Sequence, residues 1–197
     1  MRKLLSAMVV VFSMGMTGSV FAQDFQKGLK AYEAKDYATA LKEWRYLAER
    51  GNAEAQDKVA NMFFFGNGVT QNYNEAARLY GLAAAAGYLP AQGMLGDMYD
   101  LGLGVPQDTL EAIRRYQIAA GGGHSLSQRT LGLRYHDGRG VIQDYVFAHM
   151  WFNIAASQGN TDAAKERDEI ANKMTSVDIS KAQELARECV KKNYKGC

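Results

Sequence analysis

Histidine, cysteine, serine and closely spaced glycine are the residues whose chemistry could go beyond packing in this 197-residue chain. Its three histidines, His124, His136 and His149, stand in no His-Glu-x-x-His helix and in no other metal-ligand spacing. His149 shares a column with Ala77 and Ile113, where packing is expected, and His136 is expected on an exposed helix face. Gly66-Asn67-Gly68, Gly102-Leu103-Gly104 and Gly138-Arg139-Gly140 invite a phosphate-loop reading. However, Gln71, Gln107 and Gln143 stand where the dinucleotide fingerprint needs its third glycine, and no strand precedes them. The Ser-x-x-Lys pair of serine β-lactamases is absent, and no serine has an evident base at helical spacing in a pocket. Cys189 and Cys197 match neither a zinc nor a thioredoxin spacing. Either they bridge the last helix to the C-terminus, or Cys189 is a small core residue and Cys197 a free thiol in a frayed tail. No catalytic residue, cofactor or metal is expected.

The elements that carry these residues recur. Gly-x-Gly-Val occurs at Gly66, Gly102 and Gly138, a step of 36 residues. Asn72, Asp108 and Asp144 keep the step, as do Ala76, Ala112 and Ala148. Trp44, Tyr80, Tyr116 and Phe152 form an aromatic column, and Gly51, Gly87, Gly123 and Gly159 close the units. The units span residues 53–88, 89–124 and 125–160. Each reads as two helices, A and B. Helix A of the first unit runs from Ala53 to Phe65, with Ala55, Val59, Ala60 and Phe63 on its packing face. Gly66 suits a left-handed C-cap. Asn72–Glu75 and Asp108–Glu111 read as capping boxes at the start of helix B.

This pattern resembles the Sel-1-like repeat family, an α-solenoid relative of the tetratricopeptide repeats. The resemblance rests on Leu95-Gly96-x-x-Tyr99-x-x-Gly102-x-Gly104-Val105-x-x-Asp108-x-x-x-Ala112 and its copy from Leu131 to Ala148. In the first unit Val59-Ala60 replaces Leu-Gly and Phe63 replaces Tyr. The fold expected is all-α, a right-handed solenoid of helix-turn-helix repeats. Residues 23–52 should form an N-terminal capping helix pair, and residues 161–197 C-terminal capping helices and a tail. The resemblance implies a protein-interaction scaffold at work in the periplasm or outside the cell. Some cysteine-rich members are described as binding or hydrolysing β-lactams. They carry a cysteine pair in each repeat, whereas residues 25–188 here contain none. The alternative function is an envelope hydrolase acting on β-lactams or cell-wall fragments, and the missing cysteine pairs and Ser-x-x-Lys motif separate the two readings.

Charge and composition bound the partners. With 23 Lys+Arg against 21 Asp+Glu, the chain lacks the basic excess of a nucleic-acid binder. Arg2 and Lys3, an apolar run from Leu4 to Phe12 and Val20-Phe21-Ala22 match a signal peptide over residues 1–22. The mature chain, from Gln23, should be a periplasmic or secreted monomer without a membrane span.

Binding is expected on the helix A face turned away from the packing positions, the concave side of such a solenoid. In the first unit this face carries Asp57, Asn61, Phe64 and Phe65. In the second it carries Gly93, Asp97, Asp100 and Leu101, and in the third Arg129, Leu133, His136 and Asp137. Phe64, Phe65, Leu101 and Leu133 would form an apolar strip for a peptide or protein segment, with Asp97 and Asp100 as its rim.

Overall fold

Two kinds of helix alternate along the chain because each unit switches once between a glycine stop and a carboxylate or amide start. The computed structural model describes residues 14–197, with side chains from Asp24 onward. Among the described residues there are ten helices and no strand. Helices of type A are α1 (Met14–Glu33), α3 (Ala53–Phe65), α5 (Leu89–Leu101), α7 (Ser125–Asp137) and α9 (Thr161–Ala171). Those of type B are α2 (Tyr37–Ala48), α4 (Tyr73–Ala85), α6 (Thr109–Gly121) and α8 (Tyr145–Ser157). The last helix is α10 (Ser176–Lys191). The architecture is a right-handed α-solenoid with a 36-residue repeat. The leader assigned to residues 1–22 falls partly outside the described residues, and Met14–Ala22 is helical backbone continuous with α1. No helix among the described residues is long and apolar enough to cross a membrane.

The A-to-B turn is held by backbone geometry and one side chain. Gly66, Gly102 and Gly138 end α3, α5 and α7 with φ of 73°, 68° and 69°, the left-handed region that side chains with a Cβ resist. Gln71, Gln107 and Gln143 fold back, and each Nε2 donates to a last-turn carbonyl of helix A, Phe64, Asp100 or His136, at 2.8 Å. These glutamines thus close the loop in each repeat.

Asn72, Asp108 and Asp144 cap helix B by accepting from backbone N–H groups two or three residues on. Only half of each expected capping box forms. The N–H of Asn72 and of Asp108 donates to the carbonyl of Phe63 or Tyr99, so the acid three residues on has nothing to return to. Glu75 instead pairs with Arg78, and Glu111 with Arg114 and Arg115.

Successive repeats are joined by a buried glutamine column. The Nε2 groups of Gln56, Gln92 and Gln128 donate to the carbonyls of Ala48, Ala84 and Ala120, at 3.0–3.1 Å. Each bond links the last turn of one helix B to the helix A that follows. Between them, Trp44, Tyr80, Tyr116 and Phe152 are all essentially inaccessible and fill the space inside each helix pair. Gly96 and Gly132 make room for two of these rings, since a Cβ at either would come within 2.5 Å of the Tyr116 or Phe152 ring.

The C-terminal end departs from the repeat. Helix α9 packs on α8 as another helix A. Helix α10 then packs on α8 as well, where a further helix B would have paired with α9. Ala186 and Cys189 enter the apolar cluster of Met150, Trp151 and Ile154. Cys189 and Cys197 are joined in a disulfide.

Candidate functional site

Residues one turn apart on helix A divide into those that support helix B and those that face a cavity. The column Asn61, Asp97, Leu133 faces the aromatic column 19 residues on. Tyr80 Oη donates to Asn61 Oδ1 at 3.1 Å, and Tyr116 Oη to Asp97 Oδ1 at 2.8 Å. In the third repeat the aromatic is Phe152, which has no hydroxyl, and the facing residue is Leu133. A buried hydroxyl needs an acceptor, and an aromatic without one does not.

A cavity of about 210 Å³ opens between α3, α5 and α7. Asp57, Asn61, Asp97 and Tyr116 supply polar lining, and Pro90, Met94 and Leu126 supply apolar walls. His124, Ser127 and Thr130 complete it from the start of α7. Asp57 is only 4% exposed. Its Oδ2 accepts from Asn61 Nδ2 at 3.0 Å, while its buried Oδ1 has no partner. Burial pushes the Asp57 carboxyl up to about 6, against the opposing pull of Lys58. Asp97 is also raised by burial, although the Tyr116 hydrogen bond and the Arg134 charge oppose it. His124 is lowered by burial, so its imidazole is neutral at pH 7. No cationic side chain lines this cavity.

The structure redistributes the expected binding strip. Asn61 and Asp97 reach the cavity just described. Leu133 and His136 line a second one of about 320 Å³, between α7 and α9, with Glu166, Glu169 and Lys173. Phe65 and Leu101 are open, at 58% and 60% exposure. Phe64 is not: it is half-buried, with ring centroids 4.9 Å from Phe65, 5.3 Å from Tyr73 and 6.5 Å from Tyr80. Asp100 is not a rim residue either. It is buried, and both its oxygens accept from the Arg134 guanidinium, at 3.0 and 2.8 Å. Asp57, expected on the open face, is buried as well. His136 lies stacked on Tyr145 at 5.6 Å and bonded to Asp137.

Sequence reasoning missed one contact that bears on catalysis. Ser127 Oγ lies 2.9 Å from His124 Nδ1, three residues away and in the cavity. His124 occupies the N-cap position of α7 and Ser127 its third residue, so the pair ties down a helix start that has no side-chain cap bond. Ser127 is 2% exposed, and the ring meets it through Nδ1 rather than the Nε2 that serves a serine nucleophile in a triad. His149 is buried and lowered by burial, as its packing column implies. Among the described residues no cluster of three His, Cys, Asp or Glu side chains could hold a metal ion.

The repeat boundaries agree with a family model. The Sel1 repeat matches residues 53–88, 89–124 and 125–160, more than half of the chain. The chain belongs to the Sel1 repeat family. Sel1 repeats generally form non-enzymatic scaffolds that mediate protein–protein interaction. A Sel1 repeat protein from Oxalobacter formigenes superposes with a TM-score of 0.72 at 29% identity, covering 88% of this chain and 75% of that one. A protective antigen of uropathogenic Escherichia coli with the same fold gives a TM-score of 0.62 at 26% identity, covering 88% and 46%. A negative regulator of exopolysaccharide production from Rhizobium leguminosarum bv. viciae is 39% identical over 56 residues. Its counterpart in Rhizobium meliloti is 36% identical over 56 residues. The matched segment is 28% of this chain, and this Sel1 chain spans about a fifth of the length of those relatives, 21%.

Proposed function

We propose that this Sel1 repeat chain is an exported scaffold that holds a basic peptide or protein segment along its helix A face. One observation carries the reading: the α3–α5–α7 cavity is lined by two carboxylates and no cation, and one of them, buried Asp57, has an Oδ1 without a partner. A buried carboxylate oxygen without a donor is costly, and a partner's lysine or arginine head would supply the donor. The methylene stem of such a side chain would lie on Met94 and Leu126. Phe65 and Leu101, both exposed at the C-terminal ends of α3 and α5, extend the face for apolar contacts. Export through residues 1–22 fits the Cys189–Cys197 disulfide, which belongs to an oxidising compartment. N-terminal sequencing of protein from the envelope fraction should find Gln23 first, and an intact Met1 would overturn export.

The binding test is selection from a random peptide library on the folded protein. Selected peptides should share a lysine or arginine at one fixed position. Asp97→Asn keeps the Tyr116 bond and should weaken them at least tenfold. Leu110→Ala, on the exposed side of α6, should leave them unchanged. Selected peptides without a basic residue, or with affinity untouched by Asp97→Asn, would overturn the site. Steady turnover of a chromogenic cephalosporin through rigorous purification would instead favour the envelope-hydrolase reading.

A further inference from the structure

The three repeats each hold a buried glutamine on helix A, and each shows a different fate for its Oε1 atom. In the second repeat, Gln92 Oε1 accepts from Arg115 Nη1 at 3.1 Å. The same guanidinium donates through Nε to Glu111 at 2.6 Å. In the third repeat, Gln128 Oε1 accepts from Gln158 Nε2 at 2.6 Å. In the first repeat, Gln56 is 6% exposed and its Oε1 has no partner. The position equivalent to Arg115 is Leu79, while the position equivalent to Glu111 is still an acid, Glu75. Gln56, Leu79 and Glu75 line a cavity of about 500 Å³ between α2, α3 and α4. The first repeat therefore keeps both acceptors and lacks the arginine equivalent to Arg115, and neither Arg45 nor Arg78, which also line the cavity, bonds to Gln56 Oε1.

We propose that this α2–α3–α4 cavity binds an arginine side chain of a protein partner. Glu75 and Gln56 would take its guanidinium as Glu111 and Gln92 take that of Arg115. Glu111 accepts from Arg114 and Arg115 together, so the bond between Glu75 and Arg78 leaves Glu75 able to accept a second guanidinium. The other charged groups lining the cavity are Arg45, Glu49 and Arg78, which with Glu75 sum to no net charge. Recognition here rests on the planar fork of arginine meeting two fixed acceptors, so lysine is a poor substitute. Gln56 Oε1 is covered in this structure, so binding includes a side-chain rearrangement in the cavity wall, a common adjustment at interfaces. The site shares α3 with the helix A cavity but is lined by Gln56, Glu75 and Leu79 rather than Asp57, Asn61 and Asp97, and it stands whether or not that reading holds.

The test is a titration of the protein, from Gln23 onward, with Nα-acetyl-arginine amide and Nα-acetyl-lysine amide, read by the Gln56 side-chain amide resonances. The arginine amide should give a saturable shift at Gln56, and the lysine amide at least tenfold weaker binding. Glu75→Gln should weaken the arginine amide at least tenfold while leaving the melting profile close to wild type. Leu79→Arg should abolish its binding, and a crystal structure of that variant should show the new guanidinium on Glu75 and Gln56. No saturable shift at Gln56, equal binding of the two amides, or undiminished binding by Glu75→Gln would each overturn the proposal. Because Glu75→Gln decides on its own, a Leu79→Arg chain that fails to fold leaves the conclusion intact.

Discussion

The first and second repeats share a backbone plan but satisfy their buried polar groups differently. In the second, Arg115 answers Gln92, and Asp100 is answered by Arg134 of the third. In the first, the equivalent of Arg115 is Leu79, and the equivalents of Asp100 and Arg134 are Phe64 and Met98. Phe64 and Met98 belong to one apolar cluster, so the joint between the first two repeats is dry where the next joint is ionic. The first repeat also leaves Gln56 Oε1 and Asp57 Oδ1 unpartnered on adjacent residues, and the second leaves no such side-chain atom among the described residues. A repeat can thus be closed by its own arginines or be left open to a partner, at no cost to the fold plan.

The ionic joint offers the largest effect. Asp100→Ala should destabilise the protein by about 3–5 kcal/mol, because Arg134 would remain buried without its partner. The double change Asp100→Phe with Arg134→Met copies the dry joint of Phe64 and Met98, and thermal melting should place it within about 1 kcal/mol of wild type or above it. If both variants lose stability equally, the two joints are not interchangeable and the comparison breaks.

Next comes the unpartnered acid of the first repeat. The Asp57 carboxyl is raised from 3.8 to about 6 in the folded chain, so the folded state holds this proton more tightly than the unfolded state does. Its favourable contribution is complete below about pH 4 and is lost as pH rises through 6. Asp57→Asn should therefore stabilise the protein by about 2–3 kcal/mol at pH 7 and by nothing near pH 4. Denaturant melts of both chains across that range check the sign. A gain that is constant with pH would show that burial does not raise the Asp57 carboxyl.

The smallest effect separates the two tyrosines. Tyr116 donates to a carboxylate and Tyr80 to an amide. Tyr116→Phe should cost about 1.5–3 kcal/mol and Tyr80→Phe about 0.5–1.5 kcal/mol, since bonds to charged groups are the stronger. Equal losses would remove this distinction between the repeats.

What was legible in the sequence was whatever each repeat had to restate. Gly66, Gly102 and Gly138 need the same backbone angle, and Asn72, Asp108 and Asp144 the same cap, so a single step of 36 exposes them. The site was harder to read because its contacts run between columns. Asn61 and Tyr80, Asp97 and Tyr116, Leu133 and Phe152 change together across a separation of 19, polar with hydroxyl and apolar without. Asp100 looks like a free rim carboxylate until Arg134, 34 residues on, is seen to occupy the column of Met62, Met98 and Ile170. Gln56, Gln92 and Gln128 keep the repeat step and could have been found by it, but their pairing with the preceding alanine carbonyls is a matter of geometry.

The course of α10 has a consequence for the order of assembly. A linear array grows by adding each helix to the one before, and it can fray one helix at a time from its ends. Here the chain passes α9 and returns to α8, while Tyr194 reaches Gly121 and Gly123 at the end of α6. Helix α10 has no surface to dock on until α6, α7 and α8 are in place, so it must be the last element to join during synthesis. Once docked on α8, with Cys189 and its disulfide partner Cys197 in the same apolar cluster, it makes the last helices open as one cooperative block. Amide protons in α8 and α10 should then exchange at a single common rate, slower than those of α2 at the far end.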